Sequence, residues 1–158
     1  MNTDAHIRGE AAFQYFTEGY NCAQSVTLAF ADLVPVPRDT LCRMASSFGG
    51  GMGRLREVCG AVSAMFLITG LLYGYDTPES GDIKKEHYAR IQTLAKRFKA
   101  EKKSIICREL LGLSEHRQDP APEARTAQYY ETRPCPELVR FAAELLSEYI
   151  SDMNSDNL

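Results

Sequence analysis

The chain has 158 residues, 44% of them hydrophobic and 25% charged, with a formal net charge of -3 and a pI near 5.6. That length suits one domain whose core can hold without disulfides or metals. The slightly acidic balance argues against nucleic acid or an anionic membrane surface as partner, because no positive field recruits either. The first residues, MNTDAHIRGEAAFQYF, are polar and lack a basic stretch followed by an apolar run, so no secretory signal is expected and the cytoplasm is the expected compartment.

A first helix is expected from after Asp4 to about Glu18, ended by Gly19. Asn21 with Gln24 has the pattern of a capping box and opens a second helix, with Cys22 in its first turn. Cys22, Val26, Ala29 and Leu33 make its apolar stripe. Pro35 and Pro37 break the chain, and a short helix from about Arg38 to Ser47, carrying Cys42, leads into a loop with Gly49, Gly50, Gly51 and Gly53. Such a loop can turn sharply or bring bare N–H groups against a ligand or another chain. Arg54 and Arg56 follow it, either as solvated charges or as partners of an anion held by those N–H groups. The Gly-Lys-Ser/Thr ending of a nucleotide-binding loop is missing, and no strand precedes it.

From Val58 to Tyr75 no side chain is charged, and apolar residues fall on every face. A helix of that kind belongs inside the protein, so a central buried helix is expected over about 57–74. Gly60, Gly70 and Gly74 interrupt the run, whose length only reaches the lower edge of the roughly 17 to 25 residues a membrane span needs. A membrane span is therefore not expected. After a loop with Pro78 and Gly81, a long helix should run to about Lys103, burying Ile83, His87, Ile91, Leu94 and Phe98 and presenting lysines to solvent. His87 reads as a core histidine before it reads as a ligand; His6 and His116 have no partner recognisable in the sequence.

Ser104 suits the start of a short helix holding Cys107 and ending at Gly112. Leu113 to Pro134 reads as an ordered surface loop, and Pro136 suits the start of a last helix, with Cys135 at its cap and Leu138, Ala142, Leu145 and Tyr149 facing inward. The tail SDMNSDNL is expected to fray. The whole reads as all-α, a single-domain bundle of about six helices around the central one.

Cys22, Cys59, Cys107 and Cys135 each sit near a helix start and on an apolar stripe. Helix starts favour thiolate, and inward stripes point the four at the interior. They can ligate an iron–sulfur cluster or, second, zinc; they can work as dithiol pairs; or they can simply pack, in a helical interaction or scaffold protein. No two of them form a CxxC pair, which weakens the metal reading from spacing alone.

With Asn21-Cys22-Ala23-Gln24, Phe48-Gly49-Gly50-Gly51-Met52-Gly53, Cys59-Gly60-Ala61-Val62 and the later Cys107 and Cys135, the chain resembles the redox-active protein family named C_GCAxxG_C_C after its cysteine pattern. The final glycine of that motif is Ala64 here, which bears on packing more than on the thiols. The resemblance implies a redox or metal role for Cys22, Cys59, Cys107 and Cys135, leaves Cys42 outside the pattern, and with the glycine segment suggests a homodimer. The cysteine region is also similar to part of the split-Soret cytochromes, but without a CxxCH the chain cannot attach a c-type haem. The electron partner or substrate is left open by these residues.

Overall fold

A computed structural model describes residues 3–78, 81–114 and 119–156. Its elements in order are α1 (Thr3–Thr17), α2 (Cys22–Leu28), a 3-10 turn (Ala31–Leu33), α3 (Arg38–Ser46), the single turn α4 (Gly49–Met52), α5 (Gly60–Tyr73), α6 (Gly81–Lys102), α7 (Cys107–Leu110), α8 (Ala127–Thr132) and α9 (Cys135–Ser155). The protein is all-α. The one β contact among the described residues is an antiparallel bridge between Val58 and Ile106.

α5 is buried through Gly60, Ala61, Val62, Ala64, Met65, Ile68 and Thr69, and it packs on α2, α6 and α9. Its position at the centre follows from its lack of any charged side chain. α1 runs along α9 in the most extensive helix pair of the fold. Across this pair Gly9 faces the Glu144 side chain, Ser147 donates to Asp4 at 2.6 Å, and Arg140 pairs with Glu10 and stacks over the Phe13 ring.

The capping box at the start of α2 forms as read: the Asn21 side chain accepts from the Gln24 N–H, and the Gln24 side chain accepts from the Asn21 N–H. Both side chains also reach outward, Asn21 donating to the Ser46 carbonyl and Gln24 to the Cys42 carbonyl, at 3.1 and 3.3 Å. The cap that starts α2 thereby ties it to α3 and to the approach of the glycine turn.

Several expectations are corrected. Leu33 and Ile83 are 40% and 48% exposed, and among its described residues α6 fully buries only Leu94 and Phe98, with His87 and Ile91 half-buried. The segment before α9 is not all loop: Thr126 caps α8 by accepting from the Tyr129 N–H. Cys135 is inside α9 rather than its cap, which is Pro134, and the tail continues the helix to Ser155. His6 is exposed, and His116 lies outside the described residues. No helix among the described residues is long and apolar enough to cross a membrane.

Candidate functional site

The glycine loop is wound the wrong way. Gly50, Gly51, Met52, Gly53 and Arg54 have φ values of 68, 68, 68, 65 and 66°, a turn of left-handed backbone closed by bonds from the Met52 and Gly53 N–H groups to the Phe48 and Gly49 carbonyls. L-residues pay about 1–2 kcal/mol each for that conformation, and only glycine takes it freely. The chain tolerates it at Met52, Arg54 and again at Arg56 (φ 61°) because the return strand is pinned: Arg56 and Glu57 donate to the Gly50 and Gly51 carbonyls, at 3.3 and 3.0 Å. Strain held in place by surrounding bonds in this way is concentrated at sites that do something.

That turn supports the cysteines. A Cβ at residue 51 would lie 2.5 Å from Cys107 Cβ and 2.9 Å from the Glu57 nitrogen, so only glycine fits beneath Cys107. A Cβ at residue 60 would overlap the Cys22 sulfur and come within 2.8 Å of the Phe48 carbonyl oxygen. Cys22 therefore rests on the first turn of α5, directly beside Cys59. Cys107 is tied to the same place by the main chain, since its N–H donates to the Glu57 carbonyl at 2.6 Å while the Cys59 N–H donates to Ile105 at 2.8 Å. The close approach that these glycines allow is made within the chain.

Cys22, Cys59, Cys107 and Cys135 all line one cavity of about 210 Å³; Cys42, on α3, does not. Gly49, Gly50 and Arg54 share the wall, whereas Gly51 sits under Cys107 and Gly53 caps the turn Gly49–Met52. All five cysteines are free thiols.

The expectation that helix starts would favour thiolate fails for three of the four. Burial pushes the Cys22 thiol up even though the N–H groups of Gly50, Ala23 and its own residue reach the sulfur. Cys59 is raised well above its ordinary value, again by burial and then by the nearness of Cys22, against the opposing N–H groups of Ala61 and Val62. Burial, with Cys22 and Cys107 nearby, pushes Cys135 up to about 12. Loss of water outweighs a few backbone dipoles, so these three are neutral thiols at neutral pH. Each cysteine lies near enough for its charge to be felt by at least two of the others.

Arg54 and Arg56, and several residues that the sequence reading left aside, complete the wall. Arg56 is buried and donates from Nη1 to the Cys107 sulfur at 3.5 Å. Arg125 lies 4.1 Å above the Phe16 ring and 5.0 Å from that of Tyr129, and donates to the Phe16 and Tyr20 carbonyls at 3.0 and 3.2 Å. It fastens the segment before α8 over the end of α1. Arg133 pairs with Glu123, and Arg54 donates to the Asp119 carbonyl at 2.7 Å. Burial raises Tyr129 to about 12, which keeps its phenol neutral. Arg125 and Arg133, just outside the two ends of α8, both stack on the Tyr129 ring, at 5.0 and 5.6 Å.

A model of the family described as "Putative redox-active protein (C_GCAxxG_C_C)" matches residues 20–149. The chain belongs to that family. No curated protein matches this C_GCAxxG_C_C member, and no solved structure does. The match spans all four pocket cysteines and stops within α9.

A single tetrahedral ion needs its thiolates about 2.3 Å from the metal and hence about 3.8 Å from one another. Among the described residues no three Cys, His, Asp or Glu side chains are grouped so as to hold a metal ion. The cysteines share a cavity without forming the cage that zinc would require. His87 lies on α6 beside Tyr75, away from the cavity wall, with burial lowering its pKa.

Proposed function

We propose that this protein is a thiol redox protein in which Cys22, Cys59, Cys107 and Cys135 act as a shared set of reversible dithiols. The observation that carries the reading is that four cysteines from four separate elements line one cavity, while the fifth, Cys42, stands on α3 outside it. Buried thiols that merely fill a core have no need of a shared space, of a strained turn beneath one of them, or of a buried guanidinium on its sulfur. Thiol–disulfide exchange needs only pairs that approach in turn, which suits cysteines that are near one another but not caged.

Thiol counting by mass spectrometry tests this. Mild oxidation under denaturant-free conditions should remove the four pocket thiols in pairs and leave Cys42 free to alkylate, and dithiothreitol should restore all of them. Thiols that do not cycle would return the cysteines to a packing role. Protein purified without oxygen that carries iron and visible charge-transfer bands would replace the dithiol reading with a cluster held by the same four cysteines.

A further inference from the structure

One part of the cavity wall has little share in the hydrophobic core. Pro122, Glu123, Arg125, Tyr129 and Arg133 all line the cavity, and all five come from the strap 119–134 that leads into α9. None of residues 119–134 is fully buried, and only Arg125, Tyr129, Tyr130 and Arg133 are half-buried. The cysteines opposite this strap in chemistry stand on α2, α5, α7 and α9, and Cys59 and Cys107 are only 6% and 8% exposed. A reagent that reaches those two sulfurs has to pass the wall.

The strap holds itself together and is fastened to the body at few points. Within it, Glu123 pairs with Arg133, Arg125 and Arg133 both stack on the Tyr129 ring, and Thr126 caps α8. Its main fastening is to the end of α1. There Arg125 donates from Nη1 to the Phe16 carbonyl and from Nη2 to that of Tyr20, its guanidinium covers the Phe16 ring, and the Tyr130 hydroxyl donates to the Thr17 carbonyl at 3.3 Å. A cation suits the last carbonyls of a helix, which lack partners inside it. Near the other end, Arg133 has extended backbone (φ -82°, ψ 137°) and separates α8 from α9, whose Pro136, Leu138 and Val139 are buried. A compact loop packed by its own side chains, with few apolar anchors, belongs to the low-stability end of a fold and can open as a unit while the core stays closed.

We propose that residues 119–134 are a lid over the cysteine cavity, latched by Arg125 on the end of α1 and hinged at Arg133. With the latch made, the lid keeps solvent and reagents from Cys59 and Cys107. With the latch broken, Arg125 and Tyr129 leave together with the strap, while α2, α5 and α7 keep their cysteines in place. The inference concerns access to the cavity, so it holds for thiols that cycle and for thiols that do not.

Alkylation by iodoacetamide without denaturant, followed cysteine by cysteine by peptide mass spectrometry, tests this, with Cys42 outside the cavity as the internal reference. Reaction through a fast opening tracks the open population. Arg125→Met removes two charge-assisted bonds and should raise the rates at Cys59 and Cys107, relative to Cys42, by about 10-fold or more. Tyr130→Phe removes one bond and should raise them by about 3- to 10-fold. Arg97→Met, on a residue paired with Asp152 and stacked on Tyr149 outside the cavity wall, should leave them at the parent rate. Hydrogen exchange gives a second readout: the Tyr129, Tyr130 and Arg133 amides should exchange faster than those of α5 in the parent, and faster again in Arg125→Met with α5 unchanged. Equal acceleration of Cys42, or of the α5 amides, would show that Arg125 secures the whole fold and would overturn the lid. Unchanged rates at Cys59 and Cys107 in folded Arg125→Met and Tyr130→Phe would overturn it too, and would leave the dithiol reading standing.

Discussion

Gly9 and Gly51 are both buried glycines beside another element, and they teach opposite lessons. Gly9 lies in the α1–α9 seam, where an added Cβ would meet only the side chain of Glu144 at 2.6–3.0 Å, the movable end of a long residue. Gly51 lies in the left-handed turn at φ 68°, where the same atom would meet Cys107 Cβ and the backbone of Arg56 and Glu57. The seam is regular helix stabilised by burial, and glycine there is replaceable. The pocket is irregular backbone held under strain, and glycine there decides whether the cysteines can stand where they do.

The comparison can be broken most forcefully at Gly51. Gly51→Ala should cost about 2–5 kcal/mol, from left-handed strain of about 1–2 and crowding of about 1–3, and it should alter thiol reactivity because Cys107 must move. Chemical denaturation together with thiol cycling checks both effects; unchanged cycling in a folded variant would mean that the turn does not position the cysteine. Leu146→Ala, fully buried on α9, should lose a comparable but smaller amount, about 3 kcal/mol, by leaving a cavity, yet pocket thiols in the folded fraction should react at the parent rate.

A third test uses pH. Cys135 titrates near 12 in the fold against an ordinary 9.0, so between those values the unfolded chain has released a proton that the folded chain keeps. Its contribution is whole below about pH 9 and is lost as the pH rises toward 12; at about 1.4 kcal/mol per unit, on the order of 1–2 kcal/mol should be gone by pH 10. Cys135→Ala should flatten that part of the melting curve against pH. The smallest effect belongs to the seam: Gly9→Ala should be neutral or raise stability by up to about 1 kcal/mol, with Glu144 swinging aside, and leave every thiol as it was. Strong destabilisation there would erase the distinction between the two regions.

Much of this was legible from local chemistry. The Asn21–Gln24 capping box, the uncharged run that had to become the central helix, and the inward stripe of α9 follow from rules that reach only a few residues along the chain. The same rules placed Cys22, Cys59, Cys107 and Cys135 on inward faces and set Cys42 aside. They failed where coverage by another element decides the outcome: Ile83 has the right period for burial but stays 48% exposed, and thiols at helix starts are raised rather than lowered because the surrounding elements exclude water. They also missed Arg125 and Arg133, and offered Arg56 only as a solvated charge or the partner of an anion. An arginine in sequence is a solvated charge until a left-handed turn, 51 residues before Cys107, carries its guanidinium onto a sulfur, or an aromatic ring at the end of α1 receives it. The helical periodicity of most elements was set by the amino-acid order; which apolar faces are covered and the state of the pocket thiols came from packing, because desolvation and the meeting of distant groups exist only after the chain has closed.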